Sequence, residues 1–225
     1  MRSDYTLKER VMSTIKNTGV LPCIKLHQKD DWIKYAQAMY DGGARCIEVT
    51  MTTPGVLEAI ETISMHFKGK MHVAAGTVLD ATSAREVILH GGDIIVNPCV
   101  IDDVIDVANR YQVPIFSGAF TATEVFNAMR KGVTAVKIFP GALGGAKYMT
   151  NLKMVFPEVN LIPSGGITEQ NVVEFIKCGA CAVSGARTFM NFEMIEKEGI
   201  GWVTKQVAHF VELIQEAKKD LPDIP

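Results

Sequence analysis

Eight short apolar runs, separated by stretches of helical periodicity, repeat along the chain at intervals of roughly 20–30 residues. They cover residues 20–25, 44–50, 72–76, 93–97, 113–117, 135–139, 160–163 and 180–184. Several are apolar at consecutive positions rather than alternate ones, which suits strands of a parallel sheet buried on both faces. Between them Thr53-Pro54 reads as a helix N-cap followed by proline, with Leu57, Ile60, Ile63 and Phe67 on one face. Thr121 to Glu124 reads as a capping box, and helical patterns recur over 101–110 and 172–177. Gly42-Gly43 and Gly91-Gly92 stand where helices end and strands begin. Eight βα units in 225 residues predict an α/β fold, a single (β/α)8 barrel. An open doubly wound sheet is the alternative, but so short a chain leaves it little room for crossovers. Two apolar stripes flank the units: Leu7, Val11 and Ile15, an extra N-terminal helix within 1–18, and Val203, Val207, Phe210, Val211 and Ile214 at the other end. No linker or charge block divides the chain, so 1–225 reads as one domain with 221–225 as a loose tail.

Composition narrows the partners. A net charge of −2 argues against nucleic-acid or membrane binding and makes any anion site a local matter of a few groups. The start, MRSDYTLKER, is polar and charged, and no apolar run reaches the ~18 residues of a membrane span. Cys23, Cys46, Cys99, Cys178 and Cys181 are odd in number and mostly in apolar surroundings, as expected for buried thiols in a reducing cytoplasm. Cys178 and Cys181 form a lone C-x-x-C at a helix end, which reads as core packing.

Active sites of such barrels form at the C-terminal ends of the strands, so the residues closing each run carry the information. Lys137 is the only charged residue between Gly132 and Gly145. A lysine buried in such a run loses solvation of its ammonium form, and the neutral amine can attack a ketone to give an imine. The competing reading is a lysine whose charge snorkels to the rim. Glu48 closes the second run, and a carboxylate there needs a partner or a purpose. It can move protons, directly or through water, or it can simply pair with Lys137. A lysine and a carboxylate facing one cavity together suit imine chemistry.

Ser164-Gly165-Gly166 after the seventh run, followed by a helix, and Ser184-Gly185 after the eighth stand where barrels commonly hold phosphate. Tight turns are the plain alternative. Thr77 offers a hydroxyl for a carboxylate or carbonyl, while Pro98 and Phe139 offer pocket walls; each also fits ordinary packing. The histidines show no ligand spacing, so no metal or other cofactor is expected.

In order along the chain stand Glu48-Val-Thr with Thr53-Pro54, Ala75-Gly-Thr-Val78, Asn97-Pro98, Ser117-Gly118 through Thr121-Ala-Thr-Glu124, Lys137-Ile-Phe-Pro140 and Pro163-Ser-Gly-Gly-Ile167. Over roughly residues 10–215 this set resembles the 2-keto-3-deoxy-6-phosphogluconate (KDPG) and 4-hydroxy-2-oxoglutarate (KHG) aldolase family. The resemblance implies a trimeric, metal-free class I aldolase acting on a small keto acid. Lys137 would form a Schiff base with the C2 ketone, and Glu48 would move protons. A pyruvate enamine would remain on Lys137 as glyceraldehyde 3-phosphate or glyoxylate leaves, as in breakdown of the Entner–Doudoroff type. Thr77 would contact the pyruvate carboxylate, Pro98 and Phe139 would shape the pocket, and Gly165 and Gly166 would bind phosphate through their amides. Two positions depart from the pattern. Thr52 stands where well-known members carry a carboxylate-binding arginine, and Lys25, at the end of the first run, is the expected source of the missing charge. Ala186 stands where a serine hydroxyl often meets phosphate, which leaves room for an unphosphorylated substrate. An imine-free isomerase or decarboxylase and a non-catalytic binding barrel are the other readings; the survival of Lys137 and Glu48 and the Lys-Ile-Phe-Pro context speak against both.

Overall fold

A computed structural model, which describes residues 5–27 and 31–220, turns the eight apolar runs into eight parallel strands. The first half of the chain runs α1 (Leu7–Thr18), β1 (Val20–Ile24), α2 (Trp32–Asp41), β2 (Cys46–Thr50), α3 (Val56–His66), β3 (His72–Gly76), α4 (Ala81–Leu89) and β4 (Ile94–Asn97). The second half runs α5 (Asp102–Arg110), β5 (Ile115–Ala119), α6 (Ala122–Arg130), β6 (Ala135–Ile138), α7 (Gly141–Val155), β7 (Leu161–Pro163), α8 (Glu169–Lys177), β8 (Val183–Gly185), α9 (Phe192–Glu198) and α10 (Gly201–Lys219). Seven pairings run from β7 through β1 to β8, and parallel bridges Leu161↔Ala180 and Ser164↔Ser184 close the ring. The (β/α)8 barrel expected from the repeat is the fold.

The strands' period of two builds the interior in layers. Leu21, Cys46, Ala74, Ile94, Val96, Phe116, Ala135, Ile162 and Ala182 form one buried cluster with Val11 and Ile15 of α1. The N-terminal helix therefore stops the lower end of the barrel with two fully buried side chains, each worth about 1.5–3 kcal/mol against exposure. Its start is held by a capping box between Thr6 and Glu9. The opposite strand faces pack on the surrounding helices in a second, larger cluster.

Several boundaries move for physical reasons. β5 begins at Ile115, because Pro114 accepts from Ile95 but has no N–H to give a ladder. β8 begins at Val183, with Ala180 left as a single bridge. Thr53-Pro54 is not the start of α3. Gly55, at φ +72°, precedes the helix, and the Thr53 hydroxyl instead accepts from the Leu26 N–H at 3.3 Å. The Thr121 capping box forms as read. The C-terminal stripe is not an added helix: α10 packs on α8 and α2 and supplies the eighth barrel helix, with the short α9 ahead of it. Cys99 is exposed rather than buried. The tail 221–225 lies outside the described residues.

One glycine fixes how closely two strand ends approach. A Cβ on Gly118 would lie 2.0 Å from both the carbonyl carbon and the oxygen of Pro98. Backbone cannot yield there as a flexible side chain can, so Gly118→Ala is expected to cost about 3 kcal/mol. That corresponds to a fall of about 6–12 °C in melting temperature for a chain of this size. A thermal melt within 2 °C of the parent would rule out this tight contact.

Candidate active site

The alternation that sends Cys46 and Ala135 into the barrel core sends Glu48 and Lys137 to the layer above, at the strands' C-terminal ends. Cys23, Ser164 and Ser184 occupy the corresponding places after Leu21, Ile162 and Ala182. These side chains face a cavity of about 280 Å³. Its walls also hold Lys25, Thr50, Thr77, Pro98, Phe139, Gly165, Gly166, Gly185, Ala186, Arg187 and Thr188. Of the residues singled out in the sequence, Thr52 alone lies off this wall. It sits in the exposed turn after β2, where the strand's alternation has lapsed, and its hydroxyl lies 3.0 Å from that of Thr50.

Glu48 is 2% exposed and Lys137 12%, with Lys137 Nζ 3.6 Å from Glu48 Oε2. Among the described residues that oxygen has no hydrogen-bond partner. Oε1 accepts from the Cys23 thiol at 3.4 Å, on the strand position registered beside Glu48. Burial, and next the charge of Glu48, push the Cys23 thiol well up, so it stays protonated and can donate. The carboxylate lies across Gly76, where a Cβ would come within 1.8 Å of Oε1. Glu48 is thus positioned by a thiol on one side and by a missing side chain on the other.

The two turns that follow β7 and β8 offer donors rather than acceptors. Gly165 and Gly166 both adopt left-handed backbone, at φ +85° and +74°, and a Cβ on Gly166 would strike Ala142 at 2.4 Å. Gly141 and Ala142 donate to the carbonyls of Ser164 and Gly165, which ties this turn to the start of α7. The parallel bridge between Ser164 and Ser184 sets this turn beside β8, and among the described residues the buried Ser184 hydroxyl has no partner. On the far wall, Asn97 Oδ1 accepts from Gly118 N at 3.3 Å and holds the turn that carries Pro98. Thr77 sits at φ +62°, a conformation that costs a β-branched residue about 1–3 kcal/mol and that clusters at functional sites. Phe139 is 43% exposed and stands 5.8 Å from Lys137 Nζ at the rim.

Three basic side chains, Lys25, Lys137 and Arg187, face this cavity against one carboxylate, so a chain of net charge −2 gathers positive charge here. Such a site attracts anions and holds an amine beside a carboxylate in a place with little water. Cys23, Arg187 and Thr188 line the site without a signal in the sequence that marks them. Arg187 and Thr188 lie beyond the last strand, where periodicity gives no guidance, and Cys23 needs the β1–β2 register to be seen beside Glu48.

A larger cavity, about 810 Å³, opens at the opposite end among Leu7, Arg10, Arg45, Lys68 and His72. Its charges are largely engaged. Arg45 donates to the carbonyls of Tyr40 and Ala44 and lies over the Tyr40 ring, Arg10 donates to Tyr5, and His72 pairs with Asp93 at 2.9 Å. Size does not make it the reaction site, because it lies at the strand ends where barrel enzymes place stability rather than chemistry. The C-x-x-C thiols are also engaged: Cys178 donates to the Phe175 carbonyl and Cys181 to that of Leu161, and burial pushes Cys181 up to about 11.

Comparison with known proteins agrees with the geometry. The family model for KDPG and KHG aldolase matches residues 11–206. A 2-dehydro-3-deoxy-phosphogluconate aldolase of Treponema pallidum is 32% identical over 167 residues, 74% of this chain and 79% of that protein. A 2-dehydro-3-deoxy-6-phosphogalactonate aldolase of Escherichia coli is 29% identical over 190 residues, 84% of this chain and 90% of that one. A solved structure described as native KDPGal superposes with a TM-score of 0.83 and 26% identity over 89% of this chain and 96% of that one.

Proposed function

Because the chain belongs to the KDPG and KHG aldolase family and is therefore a carbon–carbon lyase, we propose that Lys137 is its Schiff-base nucleophile and Glu48 its proton carrier. The observation that carries this is the buried amine–carboxylate pair 3.6 Å apart in a cation-rich cavity. The amine of Lys137, having passed its ammonium proton to Glu48, adds to the C2 ketone of a 2-keto acid, and Glu48 returns that proton to the carbinolamine hydroxyl, which leaves as water to give a protonated imine. Glu48, directly or through water, takes the proton of the C4 hydroxyl. The C3–C4 bond breaks, its electron pair moves into the iminium, and an aldehyde departs from a pyruvate enamine. Glu48 returns the proton to C3, and hydrolysis of the imine frees pyruvate and Lys137. With a KDPG-like acid the aldehyde is glyceraldehyde 3-phosphate; with 4-hydroxy-2-oxoglutarate it is glyoxylate.

Around the reacting atoms, Thr77 meets the pyruvate carboxylate and Pro98 and Phe139 wall the pocket. Gly165, Gly166, Ser184 and Gly185 receive the distal anion on backbone N–H groups and the unpartnered Ser184 hydroxyl, with Ser164 lining the same turn. Lys25 supplies the cation absent at Thr52, as a point charge rather than a fork. Lys25→Met is expected to raise the Michaelis constant for the keto acid about tenfold or more, the worth of a charge-assisted hydrogen bond. Steady-state kinetics giving an equal constant in both proteins would remove Lys25 from the site. A trimer is carried over from the family, and exposed Phe126, Met154 and Val155 offer apolar surface for it. A cytoplasmic setting is supported by five free cysteines, which a reducing compartment keeps as thiols. Among the described residues no helix is long and apolar enough to cross a membrane.

The deciding test is borohydride reduction in the presence of pyruvate, read by peptide mass spectrometry. A pyruvate-derived adduct on the Lys137 peptide is expected. Folded protein that yields no adduct with any of several 2-keto acids would overturn the mechanism.

A further inference from the structure

The catalytic cavity does not end at the turns after β7 and β8. A second cavity of about 310 Å³ adjoins it and shares three wall residues with it: Lys25, Ala186 and Arg187. Arg187 sits on a turn whose backbone is anchored. The N–H groups of Phe189 and Met190 donate to the Ala186 carbonyl at 3.0 and 2.7 Å, and both of these side chains are buried. The Thr188 hydroxyl donates to the Ile167 carbonyl at 2.8 Å, which ties the turn to the start of α8. The Arg187 side chain is the exposed member of this rigid segment. Among the described residues no carboxylate comes within ion-pair distance of it, although Glu193 lines the neighbouring cavity. Position 186 is alanine and offers no hydroxyl.

We propose that Arg187 is the residue that selects substrates carrying a terminal phosphate, closing over that group from the solvent side while Gly165, Gly166 and Ser184 receive it from below. This rests on the aldolase reading and names its substrate class. A guanidinium gives two parallel N–H donors to a phosphate and more than replaces one neutral hydroxyl. Its place also decides between the two family substrates. In 4-hydroxy-2-oxoglutarate the second carboxylate is bonded to C4 itself and stays at the reacting centre. In a 6-phospho sugar acid the phosphate lies several bonds farther out, toward the rim where Arg187 stands.

Two measurements test this. The first is kcat/KM of Arg187→Met on a 6-phospho-2-keto-3-deoxy acid and on 4-hydroxy-2-oxoglutarate. The ratio of the first to the second is expected to fall about 10- to 100-fold, with Arg187→Lys in between. The second is phenylglyoxal labelling of Arg187 in the parent protein, followed by peptide mass spectrometry, which inorganic phosphate is expected to slow. A ratio within two-fold of the parent overturns the proposal, and so does labelling that phosphate leaves untouched. Should pyruvate fail to trap on Lys137, the aldolase mechanism falls by itself, and phosphate protection alone decides for or against Arg187 as an anion receiver.

Discussion

Lys137→Ala is expected to lower kcat/KM by about 10⁴-fold or more and to abolish borohydride trapping with pyruvate. Among the described residues no other amine in this cavity pairs with a carboxylate. Lys25 faces the same cavity but is exposed and lies just past β1, without a carboxylate in ion-pair contact among the described residues. The same change strips Glu48 of its cation. Removing one partner of a buried pair costs about 3–5 kcal/mol, because the other charge is left uncompensated. Lost activity in Lys137→Ala therefore mixes chemistry with stability, and Lys137→Arg separates them. The guanidinium keeps a positive charge beside Glu48 but holds its proton and cannot attack a ketone. A variant with arginine at 137 that melts close to the parent and has no activity places the role in the nucleophile. Measurable cleavage by that variant would return Lys137 to a purely structural ion pair.

Glu48→Gln should lower kcat by about 10²–10⁴-fold, the usual range for a general acid–base, while still allowing pyruvate to be trapped, only more slowly. Glutamine keeps the shape that fits over Gly76 and keeps an oxygen for the Cys23 thiol, so the change is aimed at proton transfer alone. The trapped fraction against time separates imine formation from carbon–carbon cleavage. Parent-level cleavage in Glu48→Gln would show that water or another group moves the proton.

Much of the fold was legible because a barrel strand carries its own signature. Consecutive apolar residues mark burial on both faces, and a residue that breaks the run toward its C-terminal end, as Glu48 and Lys137 do, marks the layer facing the cavity. Features that depend on neighbours were less legible. Cys23 looks like one more apolar position until β1 is laid beside β2. Thr52 stands out only by its place in the family pattern, yet the chain has turned by then and its hydroxyl meets Thr50 instead. The stripe from Val203 to Ile214 looks like an appendage in sequence and becomes a barrel helix only once the ring closes and α2 and α8 flank the gap. Arg187 follows the last strand, where nothing local tells a cavity-lining turn from any other.

The stopper formed by α1 also sets the traffic through the enzyme. Val11 and Ile15, with Leu21, Ile94, Phe116 and Ile162 above them, leave the lower half of the barrel filled. Substrate and both products must share one doorway. In the proposed mechanism the keto-acid end is bound deepest, on Lys137, and the aldehyde end lies nearer the rim, so the aldehyde leaves first and pyruvate second. In the synthetic direction pyruvate has to enter first, and an aldehyde arriving early stands in its way.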